Sequence, residues 1–265
     1  MLILLPPSEG KTAPRSGRPL NLDTLTLGEL NPGRERVLDA LVDLCAADDR
    51  ERARTVLGLS AGQDGEIDLN ARLRSAPTQP AAKVYTGVLY DALDTGSLTP
   101  AARTRLRRSA LVFSGLWGVV RVDDRIPAYR CAIGVGLPGV GGLTPYWRGV
   151  LEPVVTEAAD SGPILDLRSG AYAAMWRPTG RTAERTVAVR VLHEQVVNGV
   201  SSRSVVSHFN KATKGRLVRD LLLAGAAPRS PAKLVEALRD LKYTVEEQPA
   251  ATGKPRQLDI VVSEL

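Results

Sequence analysis

Three short apolar runs, each opening at once into a polar loop, constrain this chain more than any other feature. Met1 to Leu5 leads into Pro6-Pro7-Ser8-Glu9-Gly10-Lys11-Thr12, Ser109 to Phe113 into Ser114-Gly115-Leu116-Trp117-Gly118, and Ile164 to Leu167 into Arg168-Ser169-Gly170. Runs this short, apolar apart from Asp166 in the third and without strict alternation, fit strands buried on both faces. Polar residues directly after such a strand sit at its carboxyl edge, the usual place for a cleft in α/β architecture.

The sequence between the runs supplies the other elements. Periodicity and capping signals predict helices over about 34–46, 50–58, 80–94, 100–108, 145–159, 203–224 and 231–241. Thr186 to Leu192 alternates as a half-buried strand, and Tyr243 to Glu247 with Leu258 to Val262 reads as a final hairpin. Residues 13–33 read as an extended surface segment, 119–129 as turn-rich, and 134–143, with five glycines, as a loop or distorted hairpin. There is no internal repeat and no low-complexity linker. The expectation is one mixed α/β domain over residues 1–265, with a mixed sheet and a cleft at strand ends.

Composition removes several classes. No apolar stretch approaches the roughly 18 residues of a membrane span. The N-terminus lacks a basic, apolar and small-residue export pattern. Only two cysteines occur, Cys45 and Cys131, and only two histidines, His193 and His208, at no ligand-like spacing. The expectation is a cytosolic monomer with reduced thiols, no bound metal and no cofactor.

The net charge of +6 is unevenly placed. Residues 101–130 carry seven Arg and two Asp; residues 201–220 carry three Arg and two Lys against one Asp. Basic charge gathered in two segments is the footprint of a polyanion binder. Aromatics are 4% of residues, too few for an aromatic platform that stacks single-stranded bases.

Four blocks carry candidate chemistry. Gly10-Lys11-Thr12 after a strand is P-loop-like, but the glycine needed five residues earlier is Leu5, and no helix start follows. Lys11 is still well placed to meet an anion. In the block Ser114 to Arg130, Ser114, Asp124, Tyr129 and Arg130 are candidates for a polar cluster, without the Gly-x-Ser-x-Gly of a nucleophile elbow. In Asp166-Leu167-Arg168-Ser169-Gly170-Ala171-Tyr172, Arg168 offers a planar fork for phosphate, or pairs structurally with Asp166. In Phe209-Asn210-Lys211-Ala212-Thr213-Lys214-Gly215-Arg216, helical spacing puts Lys211, Lys214 and, roughly, Arg219 on one face.

In this order and spacing, the blocks PSEGKT (7–12), SGLWGVV (114–120), Asp124 with Tyr129-Arg130, LDLRSGAY (165–172) and FNKATKGR (209–216) resemble the YaaA family of peroxide stress resistance proteins. The resemblance implies a cytosolic protein that protects against hydrogen peroxide by limiting unincorporated iron and the damage it does to DNA. It further implies a compact α/β fold, a basic DNA-binding cleft and a helix-hairpin-helix element. On that reading Lys11, Thr12, Arg130, Arg168, Lys211, Lys214 and Arg216 meet double-stranded or structured DNA through its backbone, with little sequence preference. The hairpin candidate is Val56 to Ser60, beside the acidic Asp64-Gly65-Glu66. The rival reading is an enzyme acting on a phosphorylated or nucleotide-like small molecule, with Ser114, Asp124, Tyr129, Ser169 and Tyr172 as its polar residues. A broad groove would favour the first reading and a closed pocket the second.

Overall fold

The computed structural model describes residues 1–159, 161–197, 200–249 and 251–263. Its strands are β1 (Leu2–Leu5), β2 (Gln79–Pro80), β3 (Ala110–Ser114), β4 (Gly118–Arg121), β5 (Arg125–Ile126), β6 (Gly136–Leu137), β7 (Gly141–Gly142), β8 (Ile164–Asp166), β9 (Thr186–Val197), β10 (Val200–Ser204), β11 (Thr244–Glu247) and β12 (Arg256–Val262). Its α-helices are α1 (Asn31–Ala46), α2 (Arg50–Leu57), α3 (Asp64–Ala71), α4 (Ala81–Val84), α5 (Val88–Leu93), α6 (Pro100–Ser109), α7 (Leu143–Ala158), α8 (Gly170–Ala173), α9 (Gly180–Glu184), α10 (Ser207–Leu223) and α11 (Pro231–Asp240).

The mixed α/β class holds. Among the described residues eight strands form one sheet in the order β11-β12-β9-β8-β1-β3-β4, with β10 paired to the far end of β9. The five central strands run parallel; β4 and β11 are antiparallel at the two edges. All three apolar runs lie in this parallel core. Every residue of β1, β3 and β8 is buried, as strands covered on both faces must be. Burying each large aliphatic side chain there contributes roughly 1.5–3 kcal/mol. The final hairpin forms as expected, Thr244 pairing with Val261 and Glu247 with Leu258.

Two expectations need correction. The helix over 80–94 is broken: α4 ends at Val84 and α5 starts at Val88, with Gly87 between them at φ +96°. The helix over 203–224 starts later, at Ser207, because residues 200–204 form β10. His193 pairs with both Val262 and Ser204, so β10 flanks β9 on the side of β8, beyond the carboxyl end of that strand. This brings the start of α10 over the strand ends.

Two close approaches fix the frame. Helix α10 packs on α5 at Gly215, where an added Cβ would overlap the Leu89 carbonyl oxygen and lie 2.9 Å from Ala92 Cβ. Arg34 of α1 is fully buried and donates to the carbonyls of Trp117 (3.2 Å), Val119 (2.7 Å), Leu27 (3.3 Å) and Thr26 (3.0 Å) and to Asn31 Oδ1 (2.8 Å). It ties the 26–31 segment to the β3–β4 turn. Burial lowers its pKa to about 10, against the raising effect of Asp124 and Glu29.

Candidate functional site

Strand β1 hands the chain to β3 on one side, whereas its other neighbour β8 hands it to β9 on the opposite side. Loops leaving the carboxyl ends of β1 and β8 therefore diverge, and a crevice opens between them. A cavity of about 460 Å³ occupies this place. Pro6 to Gly10 after β1 and Leu167, Ser169 and Tyr172 after β8 form two walls. Thr86 to Tyr90 form a third, and Ser207, Asn210, Lys211 and Lys214 of α10 the fourth.

The α10 residues fall at i, i+3, i+4 and i+7, one stripe of a helix. Lys211 is exposed, while Lys214 is buried and donates from Nζ to the Leu167 carbonyl at 3.1 Å. Burial lowers the Lys214 pKa to about 8, with Asp166 acting the other way. Helix α10 starts without a side-chain cap, its N-cap being Val206. Tyr90, whose hydroxyl donates to the Pro6 carbonyl at 2.7 Å, and Tyr172 are held above the usual phenol range by burial. Both remain protonated near neutral pH.

The loop after β1 is clipped in place. Ser8 Oγ donates to the Gly10 carbonyl at 2.5 Å and accepts from Thr86 N at 3.1 Å. Thr12, an exposed residue, donates its N–H to Val84 O and does not line the cavity. Lys11 turns back beneath its own loop, giving its ammonium to the Ser8 carbonyl (2.8 Å) and the Glu9 carbonyl (3.3 Å). Its Nζ lies 4.4 Å from the Tyr129 ring centroid, a cation–π contact. Burial lowers its pKa to about 8, against the pull of Glu9.

Several expected cleft residues do not line the cavity. Ser114 is fully buried, accepts from Leu116 N (3.2 Å) and Trp117 N (2.9 Å), and joins a chain of hydroxyls with Tyr129 (2.7 Å) and Tyr85 (2.9 Å from Tyr129). Asp124 accepts from Thr26 N (2.9 Å), Thr26 Oγ (2.8 Å) and Arg121 N (2.9 Å), closing a turn elsewhere. Arg168 spends its fork on Asp166, at 2.9 and 2.6 Å, and stacks over Phe113 at 4.3 Å, so the structural pairing with Asp166 is the one realised. Arg130 pairs with Glu9 at 2.9 Å. Arg216 is exposed away from the cavity, and Arg219 is occupied with the Leu93 and Asp94 carbonyls.

Of the expected site residues, the cavity thus gathers Lys211, Lys214, Ser169 and Tyr172. Lys11, Arg130 and Arg168 stand one layer behind, and each holds a lining residue: Lys11 the Ser8 and Glu9 carbonyls, Arg130 the Glu9 carboxylate, Arg168 the Tyr172 carbonyl at 3.4 Å. Ser8, Glu9, Thr86 to Tyr90, Ser207 and Asn210 were not foreseen as lining residues. The signal for the α10 pair was the helical stripe that they share with the two lysines.

The hairpin candidate does join two helices, α2 and α3, through Gly58 at φ +66°. Its amides are occupied: Gly58 N and Leu59 N donate to carbonyls of α2, and Ser60 N donates to Gln63 Oε1. Arg54 pairs with Asp64 at 3.3 Å across the turn. That leaves little for a phosphate to bind. Among the described residues no cluster of His, Cys, Asp and Glu is arranged to hold a metal ion, and no helix is long and apolar enough to cross a membrane.

The chain resembles known proteins along its whole length. It is 58% identical over 266 residues to a UPF0246 protein of Streptomyces coelicolor, covering all of both chains. It is 41% identical to a UPF0246 protein of Corynebacterium efficiens, over 99% of this chain and all of that one. An uncharacterized protein of Campylobacter jejuni is 29% identical over 82% of this chain and 83% of its own. The family model described as peroxide stress protein YaaA matches residues 1–249, which include all four motif blocks and every wall of the cavity. The chain belongs to the YaaA peroxide stress protein family.

Proposed function

We propose that this protein acts in the peroxide stress response by binding a small phosphate-bearing molecule in the cavity between β1 and β8. The observation that carries the reading is the shape of the site. A volume of about 460 Å³ lies within the roughly 300–1,000 Å³ of small-molecule sites, and two lysines stand on one wall. Duplex recognition instead needs an open surface, burying on the order of 1,000 Å² of protein. Lys211 and Lys214 supply the positive charge. The protonated phenol of Tyr172 and the hydroxyls of Ser8, Ser169 and Ser207 line the same space. Limiting iron-driven damage to DNA, which the family resemblance implies, is on this reading a consequence of what the cavity binds in the cytosol.

One observation favours a second reading, direct binding of duplex DNA through its phosphates. Arg108 and Arg216 are exposed and have no ion-pair partner among the described residues. The test is calorimetric titration of the full chain with phosphorylated metabolites and with duplex DNA, using wild type and the Lys211→Gln/Lys214→Gln variant. The cavity reading expects a small phosphate ester to bind and the variant to lose it. Tight duplex binding with a log–log salt slope of roughly −4 to −5, unchanged in the variant, would favour the second reading and reject the first.

A further inference from the structure

We infer that Lys214 forms an imine with the carbonyl of a short phosphorylated aldehyde or ketone bound in the cavity. The inference rests on the phosphate reading above and adds a covalent step to it. The two lysines of the α10 stripe stand in different surroundings. Lys211 is exposed, as are Ser207, Glu9 and Gly10 on the same cavity, and these residues mark its mouth. Lys214, about one turn further along the helix, is 7% exposed. It belongs to the α10 wall, yet its Nζ donates at 3.1 Å to the carbonyl of Leu167, on the wall just past β8. The side chain thus crosses from one wall to the other, and its nitrogen stands at the strand end.

A lysine attacks a carbonyl only as the neutral amine, and a desolvated pocket favours that form. The partner of Lys214 is a neutral carbonyl and not a carboxylate, so a neutral amine can give it one N–H and keep its lone pair free. Burial, acting against Asp166, brings the pKa to about 8, and part of the population is neutral near pH 7. Burial alone does not make a reactive lysine: Lys11 has the same lowered pKa, but lies beneath its own loop and outside the cavity lining. Lys211 is left to meet the phosphate. The two lysines stand about 4.5 Å apart along the helix axis, the span of a short carbon chain with a phosphate at one end and a carbonyl at the other. In the step itself the amine adds to the carbonyl carbon, its two protons leave with the carbonyl oxygen as water, and a C=N double bond remains. No oxidant or reductant is consumed.

The test treats the full chain with glyceraldehyde 3-phosphate and sodium cyanoborohydride, whose hydride reduces an imine to a stable secondary amine. Peptide mass spectrometry then maps the adduct among the seven lysines. Two probes serve as controls: glyceraldehyde lacks the phosphate, and glycerol 3-phosphate lacks the carbonyl. Near pH 8 Lys214 should be trapped on the order of a hundredfold faster than an ordinary surface lysine. Excess glycerol 3-phosphate should protect it, and Lys214→Met should show only the surface background. Trapping of Lys211 or Lys11 in its place, or equally fast trapping of Lys214 by glyceraldehyde, overturns the inference. If calorimetry shows glycerol 3-phosphate binding while Lys214 stays unmodified, the imine falls and the phosphate reading stands. If glycerol 3-phosphate does not bind either, both fall. The mapping is made in wild type, so it decides even where Lys214→Met does not fold.

Discussion

Substituting Gly215 by alanine tests whether the contact between α10 and α5 sets the cavity. The two helices supply Val88 to Tyr90 on one wall and Ser207, Asn210, Lys211 and Lys214 on another. They touch at Gly215, where a built Cβ overlaps the Leu89 carbonyl oxygen and lies 2.9 Å from Ala92 Cβ and 3.0 Å from Leu93 N. Two of these three atoms are backbone, so no side-chain rotation relieves the clash. The helices must separate by on the order of an ångström, and overpacking of this kind costs about 1–3 kcal/mol. A rigid backbone contact puts the expected loss near ~3 kcal/mol, against a gain of up to ~1 kcal/mol from helix propensity. The net loss of ~2 kcal/mol corresponds to roughly 4–8 °C in Tm for a chain of this size. Urea denaturation and thermal unfolding measure it. Phosphate-ester binding should fall as well, because Lys211 and Lys214 move with the helix. A variant within about 0.5 kcal/mol of wild type, the range of a neutral surface change, would refute a rigid contact at Gly215.

Three further outcomes follow from the site. Lys214→Met loses the bond to Leu167 O, costing ~1–3 kcal/mol, but removes a charge whose pKa burial has moved from 10.5 to about 8, worth ~3 kcal/mol. It should leave stability unchanged or raised at pH 7 while phosphate affinity drops at least tenfold, and a loss of stability well beyond ~1 kcal/mol would make the lysine structural. Because Lys214 has a folded pKa below its ordinary value, the unfolded chain holds more protons between about pH 8 and 10.5, so its contribution raises stability as pH climbs through that window. Denaturation of wild type and Lys214→Met at several pH values should show the wild type gaining on the variant above pH 8, and phosphate binding weakening over the same rise. Arg168→Ala strands the buried Asp166 and should cost about 3–5 kcal/mol, whereas Asp166→Asn with Arg168→Met should recover much of that; equal losses in both variants would contradict a structural pair.

The sequence made the frame legible and the side-chain directions much less so. The three buried runs were readable because a parallel strand covered on both faces is apolar at nearly every position, which needs no knowledge of its neighbours; the exception, Asp166 at the end of β8, is paired with Arg168. Gly87 broke a helix that the spacing of Val84, Val88, Leu89 and Ala92 had made continuous, and its positive φ is a demand of the turn, invisible to periodicity. The segment 200–204 went to β10 because β9 offered a pairing edge, a tertiary cause. The roles of Arg34 and Asp124 could not be read, since the partners that tie distant segments together, Trp117 and Val119 for the first and Thr26 for the second, lie 83 to 85 and 98 residues away. Arg168 had both readings open in the sequence, and the choice fell to Asp166, two residues back at the end of β8.

Cations at strand ends can serve an anion without touching it. Lys11, Arg168 and Lys214 were expected to face phosphate, yet each donates to a carbonyl of a residue that lines the cavity. Such carbonyls lie at and beyond the carboxyl ends of parallel strands, where the ladder has stopped and no neighbouring strand supplies a donor. A lysine or arginine there satisfies the carbonyl and fixes the loop, and the hydrogen bond uses a proton without cancelling the charge. Around this cavity Lys11, Arg130, Arg168, Lys211 and Lys214 stand against the carboxylates of Glu9 and Asp166. The excess is positive, and in a partly buried site charges are screened less than at the surface. The same residues thus hold the walls in place and set the sign of the field inside them. That is why truncating Lys11 or Arg168 should disturb the loops as well as the binding, while Lys211, exposed on α10, is the position where charge can be removed with the walls left standing.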